Sequence, residues 1–388
     1  MTLNIENLYH IVSISLSFLF SFYIFFNRTN SRKSNIFIGL FIFYLGLESL
    51  EVLMVQASFY NTYPNLYLIL PNLGFLVYPI LFIYIKSIAF KGFKVSKKDV
   101  IHVVPYVLVL ILCLFNYYFK TPEVKLSIMS YSGAMPGFIK IIYYGLHAQA
   151  LVYLFLSIKV TYRFKQIVSE NYSTINKRNY KWILQLTYVF LYFVSTALLY
   201  NILRFGIDIS WEGKLFYVLS PINTALLIWL IYKAMSQPFL FNGVDANIKL
   251  LKEYISEKEN EEQPRGVNNT PEDFEIKNHA LKSKLEEYMK TEEVFLNPSL
   301  TLFDLAKGLN MSSLELSLFL NKALQKNFFD FINEYRIEKA KKLLISSERK
   351  DHTVLEILYE VGFNSKSSFN TAFKKYTKVT PTKFRKNH

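Results

Sequence analysis

Cysteine is nearly absent. Cys113 stands alone among 388 residues, so an intrachain disulfide is excluded. Histidine is almost as scarce, and His102 and His147 lie apart from one another. No Ser/His/Asp set and no metal-ligand spacing appears, and there is no P-loop, phosphoacceptor-His box or repeated glycine-rich turn. The chain is therefore not expected to be an enzyme, and no cofactor or metal is expected. Charge is sparse before about residue 240 and dense after it. Acidic residues are the minority overall, 30 against 44 lysines and arginines, for a net +14. That balance points to an acidic partner, either phosphate or anionic lipid headgroups.

What the front of the chain does have is aromatic and aliphatic bulk. Most of the 35 Phe and 28 Tyr precede residue 240, in seven apolar segments at 7–26, 35–55, 68–90, 101–119, 138–160, 182–203 and 215–235. Each is about the 20 residues a helix needs to cross a bilayer core. Seven in series, joined by short polar loops, are expected to be a transmembrane bundle. The leader "MTLNIE" has no basic residue and "NRTNSRK" follows the first run, so that run is expected to be a span and not a cleaved signal.

Loop charge gives the expected orientation. Arg28, Arg32, Lys33, Lys91, Lys94, Lys97, Lys98, Arg163, Lys165, Lys177, Arg178 and Lys181 fall in the loops after the first, third and fifth spans. The other loops hold only Lys120, Lys125, Arg204 and Lys214. The excess belongs in the cytoplasm. The N-terminus is then expected outside, and everything beyond about residue 236 inside, a bacterial inner membrane.

Within the spans, Pro71, Pro79, Pro105 and Pro221 are expected to kink or interrupt helices. Glu48 and Glu51 are three apart and share a helical face. A charge at the depth of Glu48 costs on the order of 3 kcal/mol. It is either a carboxylate that senses a ligand or proton, or a protonated, hydrogen-bonded structural residue with Glu51 at the outer interface. His147, Gln149 and Asn223 are expected to bond between helices, His147 being a third candidate sensor. Trp182 and Trp211 suit interface anchoring.

Three regions follow: a membrane domain at 1–240, a stalk and linker at 241–279, and a soluble helical domain at 280–388. "ANIKLLKEYISEK" (246–258) has helical periodicity, and "ENEEQPRGVNNTPEDFE" (259–275) is too polar to fold alone. In "TLFDLAKGLNMSSLELSLFLNKAL" (301–324) a short helix, a turn at 308–311 and a second helix capped by Ser312 or Ser313 make a helix-turn-helix. "NFFDFINEYRIEKAKKLLI" reads as a connecting helix, apolar on one side and basic on the other. The pattern then recurs in "TVLEILYEVGFNSKSSFNTAFKKY" (353–376), where Thr353, Ile357 and Val361 echo Thr301, Leu305 and Leu309. Gly362 supplies a turn with positive φ, and Asn364 or Ser365 caps the last helix. With Phe369, Ala372 and Phe373 inward, Lys366, Ser367, Asn370, Thr371 and Lys374 face outward. From 365 to 388 there are seven Lys/Arg and no acid. Such a face is either merely solvated or reads duplex DNA. The fold class expected is all-α: a seven-helix bundle followed by a soluble domain with two helix-turn-helix units.

The region 280–386 resembles the DNA-binding domain of AraC-type bacterial transcription regulators. The likeness is carried by "LTLFDLAKGLNMS", "FINEYRIEKAKKLL" and "EVGFNSKSSFNTAFKKYTKVTPTKFRK". It implies DNA contact by Ser312, Ser313, Glu315, Ser317 and Asn321 in the first unit. In the second it implies contact by Asn364, Ser365, Lys366, Ser367, Asn370, Thr371, Lys374 and Lys375. Leu318 replaces a residue that is often basic, Gln325 and Lys378 replace frequent glycines, and Leu358 is bulkier than usual. The front half resembles the seven-span segment of some Bacteroidetes-like membrane-bound regulators, through "NRTNSRKSNIFIGLFIF" and "YPILFIYIKSIAF". Together these imply a membrane-anchored one-component regulator. Its expected partners are double-stranded DNA, the lipid bilayer, a small-molecule ligand, a second copy on DNA, and RNA polymerase. A transporter or channel with a cytoplasmic adaptor domain is the alternative; a receptor coupled to an enzyme fits less well.

Overall fold

The computed structural model describes residues 5–26, 32–91, 93–129, 136–173, 177–206, 210–235, 244–245, 271–347 and 351–387. They fall into two compact units: Met1–Thr161 with Lys181–Ala246, and Tyr162–Tyr180 with Asn247–His388.

The first unit is built of α1 (Ile5–Phe26), α2 (Arg32–Gln56), α3 (Phe59–Thr62), α4 (Ile69–Asn72), α5 (Gly74–Ala89), α6 (Val104–Cys113), α7 (Pro122–Met129), most of α8 (Gly137–Asn171), α9 (Lys177–Gly206) and α10 (Ser210–Met235). Among the described residues seven stretches are long and apolar enough to cross a membrane: Asn7–Phe26, Ser34–Gln56, Pro64–Ala89, Lys97–Tyr118, Gly137–Asn171, Tyr180–Ile202 and Val218–Met235. Six match the expected segments closely. The fifth does not end near residue 160: α8 runs on through Arg163 and Lys165 to Asn171. Hydropathy falls there while the helical pattern of apolar residues continues, so hydropathy alone ends the segment too early.

The prolines act locally. Pro71 sits in the short α4, Pro79 and Pro221 lie inside α5 and α10, and Pro105 occupies the first turn of α6. Ser58 and Leu68, in left-handed backbone, break the chain before α5. α1 packs on α2 and α10, and α2 on α5. Polar side chains join the helices, as they must where apolar surface gives little net drive. Ser13 meets Thr224 at 2.9 Å, Gln149 Nε2 donates to Phe75 O at 3.0 Å, and Tyr192 donates to Asn223 Oδ1 at 2.9 Å. Trp182 is not an interface anchor. It is buried, and its Nε1 donates to the Tyr84 hydroxyl at 3.1 Å. Trp211 lies outside the residues whose side chains are described. The only strand pairing among the described residues of this unit is two residues long, Phe90–Lys91 parallel to Val244–Asp245.

In the second unit α11 (Pro271–Thr291) starts inside the expected linker, while the expected stalk at 246–258 lies outside the described residues. Then come α12 (Leu302–Gly308), α13 (Ser313–Leu318), α14 (Phe328–Ile345), α15 (Val354–Glu360), α16 (Lys366–Thr377) and α17 (Pro381–Asn387). Two apolar cores form. One gathers Leu285 and Met289 of α11, the α12–α13 pair, and Phe328, Phe331 and Ile332 of α14. The other gathers Ile337, Ala340 and Leu344 of the same α14 with Ile357, Leu358, Phe369 and Phe373. The connecting helix thus serves both cores, its N-terminal half in one and its C-terminal half in the other.

Candidate nucleic-acid interface

Each paired helix starts where its sequence can satisfy the backbone. Thr301 with Asp304, Ser312 with Glu315, and Thr353 with Glu356 form reciprocal capping boxes. The matching caps on α12 and α15 are the structural form of the sequence repeat. Thr353 N and Oγ1 both donate to Glu356 at 2.6 and 2.9 Å, which holds that carboxyl below its usual range. α16 is capped by Ser365, whose Oγ takes the Ser368 N–H at 3.3 Å and donates to Ser368 Oγ at 2.9 Å.

The turns differ. Asn310 (φ 52°) reverses the first unit, and Gly362 (φ 87°) the second. At Gly362 a Cβ would lie 2.6 Å from Leu296 O and 2.8 Å from Phe295 O, so glycine is required by both conformation and space. Gln325 (φ 53°) and Lys378 (φ 64°), which stand where glycines are frequent, keep the left-handed backbone without the glycine.

α16 presents what its sequence promises. Phe369, Ala372 and Phe373 are buried. Asn364, Lys366, Ser367, Thr371 and Lys374 are exposed, and Ser365 and Asn370 are half-buried. Asn370, Thr371, Lys374, Lys375 and Thr380 line a groove of about 460 Å³. Two members are partly engaged already. Thr371 Oγ1 donates to Ser367 O at 2.7 Å, and Lys375 Nζ lies 2.6 Å from Asp330 Oδ1 on α14. Tyr376 donates to Asp330 O at 2.9 Å, so the C-terminal end of α16 is pinned to the connecting helix. Burial, with Asp330 nearby, raises the Tyr376 phenol well above its ordinary range.

The first unit offers less. α13 has six residues and passes into a wide turn at Phe319–Ala323. Ser312 and Glu315 are exposed but bonded to each other; Ser313 is half-buried. Ser317 is buried, and Asn321 spends its Nδ2 on Ser317 O at 2.9 Å. Ser317 lies beside Leu316 and three residues before Leu320, on the flank of the inward face, and its polar side chain hides that from composition.

Sequence reasoning also missed Thr380, in the groove wall, and Arg336. Arg336 is fully buried between the two cores. Its Nε donates to Phe295 O at 2.6 Å and its Nη2 to Asn297 O at 2.8 Å, with the guanidinium 5.6 Å from the Phe363 ring centre. Burial lowers its pKa to about 10, so it stays charged at neutral pH. A basic residue in a basic face reads as solvated, and nothing in composition distinguishes this one from its neighbours.

Of the candidate sensor residues in the first unit, Glu48 and Glu51 both lie near Tyr44, while His147 makes its bond on another helix pair. Glu48 is exposed, beside Tyr44 and Tyr78. Glu51 accepts from the Tyr60 hydroxyl. His147 Nε2 lies 2.8 Å from Asn201 Nδ2, the inter-helix bond expected of it. Among the described residues no group of His, Cys, Asp and Glu is placed to hold a metal ion.

A family model described as a helix-turn-helix domain matches residues 305–387. The chain is 32% identical over 111 residues to the uncharacterized HTH-type transcriptional regulator YdeC of Bacillus subtilis, covering 29% of this chain and 36% of that protein. It is 30% identical over 113 residues to the Msm operon regulatory protein of Streptococcus mutans, covering 29% of this chain and 40% of that protein. The C-terminal domain of the response regulator yesN of Fusobacterium nucleatum aligns with 27% of this chain and 98% of its own, at 35% identity and a TM-score of 0.24. The chain spans well under half the length of the curated relatives it matches. Repeated capping boxes, paired turns and a shared connecting helix agree with the matched family model: residues 305–387 of this chain are similar to the helix-turn-helix domains of HTH-type transcriptional regulators.

Proposed function

We propose that this chain is a membrane-anchored, one-component transcription regulator that reads duplex DNA mainly with α16. The observation that carries this reading is the acid-free face of α16, where Lys366, Ser367, Thr371 and Lys374 stand exposed beside a groove lined by Asn370. Lysines there neutralise phosphates, and the amide and hydroxyls suit base edges in a major groove. Asn364 and Ser365 approach the backbone from the helix start, while Lys375 works from its ion pair with Asp330. Ser312, Ser313 and Glu315 of α13 supply a weaker second contact, with Ser317 and Asn321 mainly holding that helix together. The relatives named as HTH-type regulators support the class of partner.

The seven apolar helices support anchoring in a bilayer, and the loop charges support a cytoplasmic C-terminal domain with the N-terminus outside. In this reading the helices receive a signal, with Glu48, Glu51 and His147 the candidate receivers of a small ligand. Two anchored copies on neighbouring half-sites gain avidity, and RNA polymerase is the downstream partner. The test is gel-shift titration of the full chain in lipid nanodiscs against duplexes selected from a random pool. Binding should weaken steeply with salt and drop at least tenfold in Lys366→Ala plus Asn370→Ala. Wild-type affinity in that double variant would refute the assignment of α16.

A further inference from the structure

α8 is longer than a membrane requires. Its 35 residues span roughly 50 Å at 1.5 Å per residue, against a hydrocarbon core of about 30 Å. Its last turns, from Tyr162, belong to the same compact unit as the helix-turn-helix domain. Phe164, Ile167 and Val168 on this stretch are buried, at the i, i+3, i+4 spacing of one helical face. Arg163 and Lys165 fall off that face.

Beyond the helix the chain docks by its backbone. Tyr172 forms an antiparallel bridge with Thr301, and Ser173 N donates to Leu300 O at 3.1 Å. Ser173 is itself buried. It completes the fork of Arg336: Nη1 donates to Ser173 O and Nη2 to Ser173 Oγ, both at 3.1 Å. Of the four acceptors around this guanidinium, two lie in the domain's own 295–297 loop and two on Ser173. A buried charge left half satisfied is costly, so the domain alone carries a vacancy of the shape that Ser173 fills. Arg336 also sits on α14 between the two cores and over Phe363, next to the Gly362 turn.

We propose that residues 162–173 form a docking strap. They occupy a surface of the helix-turn-helix domain made by the Leu300–Thr301 edge and Arg336, and through it the end of α8 bears on the DNA-reading helix. The route from the membrane helices to the DNA-reading helix then runs through this non-covalent contact as well as along the 246–270 connection. The contact stands on its own, and only its effect on DNA binding rests on the function proposed above.

The experiment uses the full chain in nanodiscs. An antiparallel pair places its Cα atoms about 4.5–5.5 Å apart, within disulfide reach. Tyr172→Cys plus Thr301→Cys should therefore crosslink under mild oxidation, with each single variant as control and the buried Cys113 left in place. No crosslink beyond the single-variant level overturns the docking. Ser173→Pro, which removes the N–H and the hydroxyl together, should speed amide exchange about tenfold or more at 295–302 and also around Gly362. Faster exchange at 300–302 alone would mean a local brace and overturn the relay. Affinity for a duplex selected by the wild-type chain should differ at least fivefold between the crosslinked and Ser173→Pro forms, and equal affinity would overturn the relay to DNA. Failure of every form, wild type included, to bind any duplex would instead count against the DNA reading, leaving the crosslink and exchange results to judge the strap.

Discussion

Replacing Gly362 by alanine is expected to damage the second unit far more than one methyl group suggests. The residue has φ 87°, where an L side chain costs roughly 1–2 kcal/mol. Part of that is returned because alanine has less freedom to lose on folding, about 0.4–1 kcal/mol. The new Cβ would also sit 2.6 Å from Leu296 O and 2.8 Å from Phe295 O. Neither carbonyl yields easily, since Phe295 O holds Arg336 Nε and the Asn297 carbonyl holds Nη2 of the same group. Overpacking of this kind costs about 1–3 kcal/mol, so the sum runs from about 1 to about 4.5 kcal/mol, centred on about 3 kcal/mol. The assay is urea unfolding of residues 271–388, which contain every residue of both cores. With a urea slope of about 2 kcal/mol/M, the midpoint should fall by about 0.5–2 M, and α16 should lose DNA affinity along with it. A loss of under about 1 kcal/mol would show that the turn does not press on the 295–297 loop, and the account of how the two units are joined would fail.

Lys378→Gly and Gln325→Gly run the other way: each removes a left-handed L residue, and each should raise stability by about 0.5–1 kcal/mol in the same melts, additively because they lie in different units. Ser365→Ala deletes the cap of α16 and should cost about 1 kcal/mol, with faster amide exchange in its first turn. Lys366→Ala should leave stability within about 0.5 kcal/mol yet flatten the salt dependence of DNA binding by a slope of about 0.9, read from affinities at several salt concentrations. Glu356 has its pKa lowered by the Thr353 N–H and hydroxyl, so its contribution is present above the unfolded carboxylate range and is lost as pH falls through the folded value. Glu356→Gln should therefore lower the melting temperature near neutral pH, with the difference from wild type closing as the pH falls from the ordinary carboxylate range through the lowered folded value.

Much of the architecture could be read from residues alone, because it rests on patterns that act locally. Seven apolar runs needed only length and hydropathy. The double helix-turn-helix needed only the recurrence of Thr301 and Leu305 in Thr353 and Ile357, and the caps then fell where Ser, Thr and Asp stand before an apolar face. The outward set on α16 followed from the inward phenylalanines. What escaped were events that depend on distant partners. Lys375 meets Asp330 across 45 positions, and Trp182 meets Tyr84 across 98. Ser317 is buried beside Leu316 and Leu320, on the flank of the face that α13 turns to the core.

Local chemistry determined where helices begin, which faces are apolar and which helix carries an acid-free basic surface, since these depend on neighbours three or four residues apart. Only the tertiary structure decided that Arg336, one cation among many on α14, is buried at the seam of two cores, and that its remaining hydrogen bonds go to Ser173, 163 residues earlier. A buried charge takes its acceptors wherever the packed chain brings them, and no periodicity along the sequence records that choice.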